Sequence, residues 1–109
     1  MNKKNVERNI ATWRKNRPVY SGVLKYFPRS VMEVAHCSWL GQQQHNPGKP
    51  LGWDRSKSGD ELDAMLRHVM DCRDDLLCKD SDGSYHYAKV LWRLHAQFEK
   101  LLEDEDEQR

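Results

Sequence analysis

Apolar residues recur at helical spacing in three stretches of the chain, and nowhere do they alternate as in a strand, which predicts an all-α fold. The first stretch begins near residues 28–30 and runs to about Leu40, where Gly41 is a natural C-terminal stop. The second starts near Ser58, an N-cap with Glu61 three residues on as its capping-box partner, and runs to about Cys72. The third covers about residues 85–102 and follows a DSDGS turn at 80–84. Residues 5–15 can form a further helix. Between the first and second stretches lies a long polar loop, residues 42–57, with Pro47, Gly48, Pro50 and Gly52. Connections of that length in a small domain are functional or disordered, and the Gln, His, Asn and Trp content favours function. Residues 17–28 (RPVYSGVLKYFP), short, aromatic and bounded by prolines, predict an extended N-terminal arm packed on the surface.

Each predicted helix carries a polar stripe. At about 100° per residue, Leu62, Met65, Leu66, Val69 and Met70 fall on one face of the second helix, read as core. Asp60, Asp63, Arg67 and Asp71 fall on the other. An ordinary amphipathic helix with Asp–Arg pairs accounts for that face, and so does a cation held between like charges. On the first helix Glu33 and His36 share a face, while Val31, Val34, Ala35 and Ser38 point away. That pair is either solvated surface or two ligands of one divalent ion. On the third, His86, Lys89 and Arg93 line one side, opposite Leu91, His95, Phe98 and Leu102. Such a basic stripe is either solvent-facing or suited to phosphate.

Composition sharpens this picture. The chain has 109 residues, is 38% hydrophobic and 32% charged, and has a mean hydropathy of −0.96. One domain of that polarity has a thin core, so either the surface is heavily charged or part of the burial comes from a partner subunit. The net charge of +1 hides a gradient: residues 1–29 hold eight Lys/Arg against one Glu, and residues 99–109 hold six acids against two bases. The organisation expected is a basic arm or short helix over 1–16, a single helical domain over 17–102 and an acidic tail over 103–109. No apolar run approaches the ~20 residues of a membrane span, and residues 1–17 are too polar for a signal peptide. Three cysteines are too few for a disulfide framework and read as reduced thiols. A cytoplasmic protein is expected. The basic end invites phosphate, but no DNA or RNA motif is present and the acidic tail argues against nucleic acid. No C-x-x-C spacing supports a zinc site built from His36, Cys37, His68 and Cys72.

Four strings are more specific: RPVYSGVLKYFP at 17–28, GQQQHNPGKPLGW at 41–53, KSGDELDAMLRH at 57–68 and HYAKVLWR at 86–93. In this order and spacing they resemble the phage and bacterial dATP/dGTP diphosphohydrolase family, itself distantly similar to the all-α MazG-type nucleoside triphosphate pyrophosphohydrolases. The resemblance covers about residues 17–95. It implies a small MazG-like helical bundle completed by a homo-oligomer, dimer or higher, in the host cytoplasm if phage-encoded. It also implies hydrolysis of a purine (deoxy)nucleoside triphosphate to the monophosphate and pyrophosphate.

The MazG acidic signature is Glu-x-x-Glu followed by Glu-x-x-Asp. Glu33-x-x-His36 and Asp60-x-x-Asp63 stand at those places here. By resemblance Glu33, Asp60 and Asp63 are catalytic and, with His36, hold Mg²⁺ or Mn²⁺, the imidazole shifting preference toward Mn²⁺. Lys25, Arg67, His86, Lys89 and Arg93 would contact phosphate, and Gln44, His45, Asn46 and Trp53 the base or sugar. Gln42, Gln43 and Gln44 stand where nearer relatives carry Glu, and a neutral amide cannot act as a base. The alternative expectation is therefore a protein that binds and sequesters a nucleotide without turnover.

Overall fold

The computed structural model describes residues 10–57 and 59–108. Four α-helices carry these residues: α1 (Ile10–Lys15), α2 (Pro28–His45), α3 (Glu61–Asp71) and α4 (His86–Gln108). Among the described residues there is no strand, only an isolated antiparallel bridge between Lys79 and Tyr85. The all-α expectation holds, in the form of a small bundle in which α2 and α3 both pack on α4. The α3–α4 packing is the more extensive, and α2 and α3 have little direct contact.

Several boundaries differ from expectation for identifiable reasons. Residues 20–24 close a π-helical turn instead of an extended arm. The Lys25 N–H donates to the Tyr20 carbonyl at 2.8 Å, and the Gly22 N–H to that of Pro18 at 2.7 Å. Helix α2 runs through Gly41 to His45, because the group that ends it is Gln42. The buried Gln42 amide donates to the carbonyls of Asn46 (2.6 Å) and Lys49 (3.1 Å) and accepts from the Gly52 N–H (3.3 Å). One side chain thus gathers the backbone of the following loop, and Gly48 supplies the left-handed turn at φ 80° that lets the loop double back. Ser58 lies outside the described residues. The N-cap of α3 is Asp60, and Glu61 is not a capping-box partner. It is 6% exposed and accepts from Lys100 of α4 at 3.1 Å. Helix α4 extends to Gln108, through most of the expected acidic tail; Arg109 and residues 1–9 lie outside the described residues.

The faces also differ. The buried apolar residues among those described are all modest in size: Ala64, Cys72, Ala88, Val90 and Ala96. Helix α3 turns Glu61 and Ala64 inward, while Leu62, Leu66, Val69 and Met70, expected as core, are exposed. Helix α4 turns its basic stripe inward, burying His86 and half-burying Lys89 and Arg93, and leaves Tyr87, Leu94, Phe98, Leu101 and Leu102 outside. Small residues let the two helices approach closely, and the large apolar side chains are displaced to the far sides.

Because Gln42 satisfies three backbone groups from a buried position, Gln42→Ala should lower unfolding stability by about 1–3 kcal/mol. Gln43→Ala, at an exposed position, should change it by less than about 0.5 kcal/mol. Chemical denaturation of both at one protein concentration checks this; equal effects would show that Gln42 does not organise the loop.

Candidate functional site

The turn before α4 is built from short polar residues. The Gly83 N–H donates to the Asp80 carbonyl (3.0 Å) and the Asp80 N–H to the Ser84 carbonyl (2.8 Å), with Gly83 at φ 87°. This aims Asp80 and Asp82 at the first turns of α4. Lys89 lies between them, with Nζ 2.7 Å from Asp80 and 2.9 Å from Asp82. Burial lowers the Lys89 pKa, but the two aspartates outweigh it and hold the ammonium above its ordinary value. Burial likewise raises Asp82, yet the Ser84 N–H, Lys89 and the Ser84 hydroxyl together lower it to about 2.

Beside this clamp, α2, the 46–54 loop and α4 enclose a cleft of about 630 Å³. Gln44, His45 and Asn46 line it at the end of α2, and Leu51, Gly52, Trp53 and Asp54 from the loop. Lys89, Trp92 and Arg93 come from α4, Cys37 and Ser38 from α2, and His68 and Asp82 complete the wall. The two indoles meet edge to face, with centroids 5.8 Å apart. Trp92 is anchored by donating to the Ser38 hydroxyl at 2.6 Å. The Trp53 indole N–H is buried and has no acceptor, the one such side-chain atom found among the described residues. Arg55 covers the Trp53 ring at 4.4 Å and pairs with Glu103 at 3.3 Å, which fastens the loop to α4. The Cys37 thiol is pushed up by burial, so it is a poor nucleophile.

Six of the nine residues expected to bind nucleotide therefore share one cleft: Gln44, His45, Asn46, Trp53, Lys89 and Arg93. Lys25 stands apart at the end of the π-turn, above the Tyr20 ring. Arg67 is exposed and spent on Asp60 at 3.0 Å, an ion pair that also holds the Asp60 carboxyl below its usual range. His86 is buried behind the cleft wall, where its Nδ1 meets the Nδ1 of His68 at 2.9 Å.

The acidic set does not come together. Glu33 and His36 form a half-exposed pair at 4.0 Å on α2, and Asp63 is exposed on α3. Because α2 and α3 pack on α4 and hardly on each other, their acids have no shared focus. Among the described residues, the one group of three metal-ligand side chains with converging donor atoms is His68, Asp71 and His86. None of Glu33, His36, Asp60 or Asp63 lines the cleft, and among the described residues no three of them bring ligand atoms together.

Asp82 and Trp92 are site residues that residue-by-residue reading passes over, and His68 enters it only in a zinc set without supporting spacing. His68 and Trp92 lie within the strings LRH and LWR, and Asp82 within the turn DSDGS. No known protein family, curated protein or solved structure matches the chain.

A carboxylate with a depressed folded pKa stabilises the fold above its unfolded value, and that stabilisation is lost as pH falls through the folded value. For Asp82 the window runs from 3.8 down to about 2, and the increment is at most about 2 kcal/mol. Asp82→Asn should lose that stability at pH 7 and flatten the acid limb of the denaturation profile. A variant as stable as the parent at pH 7 and equally acid-sensitive would remove the Asp82–Lys89 clamp from the argument.

Proposed function

We propose that the cleft is a purine-nucleotide site and that the chain hydrolyses a purine (deoxy)nucleoside triphosphate there to the monophosphate and pyrophosphate. The observation that supports nucleotide binding is the gathering of Gln44, His45, Asn46, Trp53, Lys89 and Arg93 around one cleft of about 630 Å³. That size suits a nucleotide. Asn46 and Gln44 offer amides to a purine edge, the indoles an apolar wall, and Arg93 a planar fork for phosphate oxygens. Lys89, already balanced by two aspartates, contributes less net charge than its position suggests. The hydrolytic reaction rests on the resemblance of the four strings.

One observation favours a second reading, binding without turnover. The acids expected to hold Mg²⁺ or Mn²⁺ do not converge, and Asp60 is committed to Arg67. Incubation with each dNTP and either ion, followed by separation of products, distinguishes the two. Monophosphate plus pyrophosphate, with affinity reduced about tenfold or more in Arg93→Ala, supports the enzyme. Retention of nucleotide with no product supports sequestration, and no binding of any purine nucleotide overturns both.

The reading extends to the assembly: the partner that covers the exposed apolar face is a second copy of the chain. Leu62, Leu66 and Val69 on α3, and Tyr87, Leu94, Phe98 and Leu101 on α4, follow three-, four- and seven-residue steps and are all exposed. Two neighbouring helices with such seams are half of a four-helix bundle, and a two-fold axis supplies the other half. The five small buried residues form too little core for a lone chain. A Cα radius of gyration of 16.4 Å, against about 13 Å for a compact chain of this length, supports the same conclusion. Helices long and apolar enough to cross a membrane are absent among the described residues, so a bilayer-spanning role does not account for this face. Light scattering should give a dimeric or higher mass, reduced by Phe98→Glu and Leu66→Glu. A monomeric parent with one cooperative unfolding transition at micromolar concentration would overturn the assembly.

A further inference from the structure

We propose that His68, Asp71 and His86 form a binding site for one divalent transition-metal ion of the borderline class, such as Zn²⁺ or Co²⁺. The site does not depend on the nucleotide reading. One donor atom from each of the three side chains lies within 4.8 Å of the other two. The two imidazole Nδ1 atoms face each other at 2.9 Å across the α3–α4 contact. Two nitrogens about 2.1 Å from an ion stand about 3.0 Å apart at an octahedral right angle and about 3.4 Å apart at a tetrahedral one, so the pair lies within about 0.5 Å of the spacing of adjacent ligands. Without an ion this contact is a hydrogen bond between the rings; an ion would replace it and take the Asp71 carboxylate as a third donor. Asp71 follows His68 by three residues on the same helix face, closes the third side, and is exposed, leaving an entry path for the ion and positions for water.

Two imidazoles and one carboxylate suit transition metals better than Mg²⁺ or Ca²⁺, which prefer oxygen donors. The surroundings favour ligation. The Lys89 charge is balanced by Asp80 and Asp82, and Asp80 Oδ2 stands 4.0 Å from His86 Nδ1. His86 is 7% exposed at the first residue of α4, with its backbone N–H donating to the Cys78 carbonyl at 3.2 Å, which anchors the residue in this position. His68 also lines the cleft, which puts the ion at the edge of the space given to phosphate.

The test uses tag-free full-length protein and metal alone, without nucleotide. Titration with Co²⁺, followed by visible absorption and by calorimetry, should show saturation at about one ion per chain. Asp71→Asn, an exposed change that leaves the helix packing untouched, should weaken binding by about tenfold or more, and His68→Gln should remove it. Gln43→Ala, an exposed change on α2 outside the cleft and the three ligands, should bind Co²⁺ as the parent does. Because no nucleotide is present, failure here leaves the nucleotide reading intact, and failure of nucleotide binding leaves this one intact. Substoichiometric uptake by the parent, or uptake unchanged in both Asp71→Asn and His68→Gln, would overturn the site.

Discussion

The ammonium of Lys89, held between Asp80 and Asp82, fastens the turn at 80–84 to the beginning of α4. Everything that converges in the molecule does so on that helix. Both α2 and α3 pack on it, the loop after α2 is tied to it through Trp53, Trp92 and the Arg55–Glu103 pair, and Lys100 reaches the buried Glu61 of α3. A polar inner face is therefore a condition of this fold. Lys89 and Lys100 are set against carboxylates supplied by the turn at 80–84 and by α3, so their charge is used structurally before it is offered to a ligand. Lys89 shows the balance most clearly: it borders the cleft, yet two carboxylates already neutralise it. Arg93, one turn further on, stands over the Trp92 ring at 5.7 Å and also lines the cleft.

Much of the architecture was legible from local chemistry, and the exceptions have local causes. The turn at 80–84 forms because Asp-Gly readily adopts a left-handed step, and Gly83 takes it. The three principal helices lie where helical spacing predicts them. The missed ends were decided by side chains acting at a distance. Gly41 does not stop α2, because Gln42 gathers the carbonyls and N–H of the loop beyond it. Glu61 does not serve a capping box, because Lys100, 39 residues later, claims its carboxylate. No local rule contains either partner.

Helix faces were half legible. Stepping residues around a helix correctly groups Leu62, Leu66, Val69 and Met70, and separately His86, Lys89 and Arg93. What it does not supply is which group faces the chain's own interior. The usual assumption that the apolar face turns inward reverses here: the buried positions of α3 and α4 are Glu61, Ala64, His86, Ala88, Val90 and Ala96, and none is a leucine. The same limit governed the acids. Glu33 on α2 and Asp60 and Asp63 on α3 each stand at a suggestive spacing within their own helix, but convergence needs those helices to be neighbours, and α4 separates their roles.

Close approach of α3 and α4 links these observations. Ala64, Ala88 and Ala96 offer little bulk, so the helices come near enough for two imidazoles 18 residues apart to touch at 2.9 Å. Larger side chains at those positions would hold the helices apart, bury more apolar surface within one chain and separate His68 from His86. The small interface instead leaves Leu66, Phe98 and their neighbours outward and draws the histidines together. The thin core and the meeting of polar groups near the cleft therefore share one physical origin: a sequence that places its smallest residues where the two helices cross.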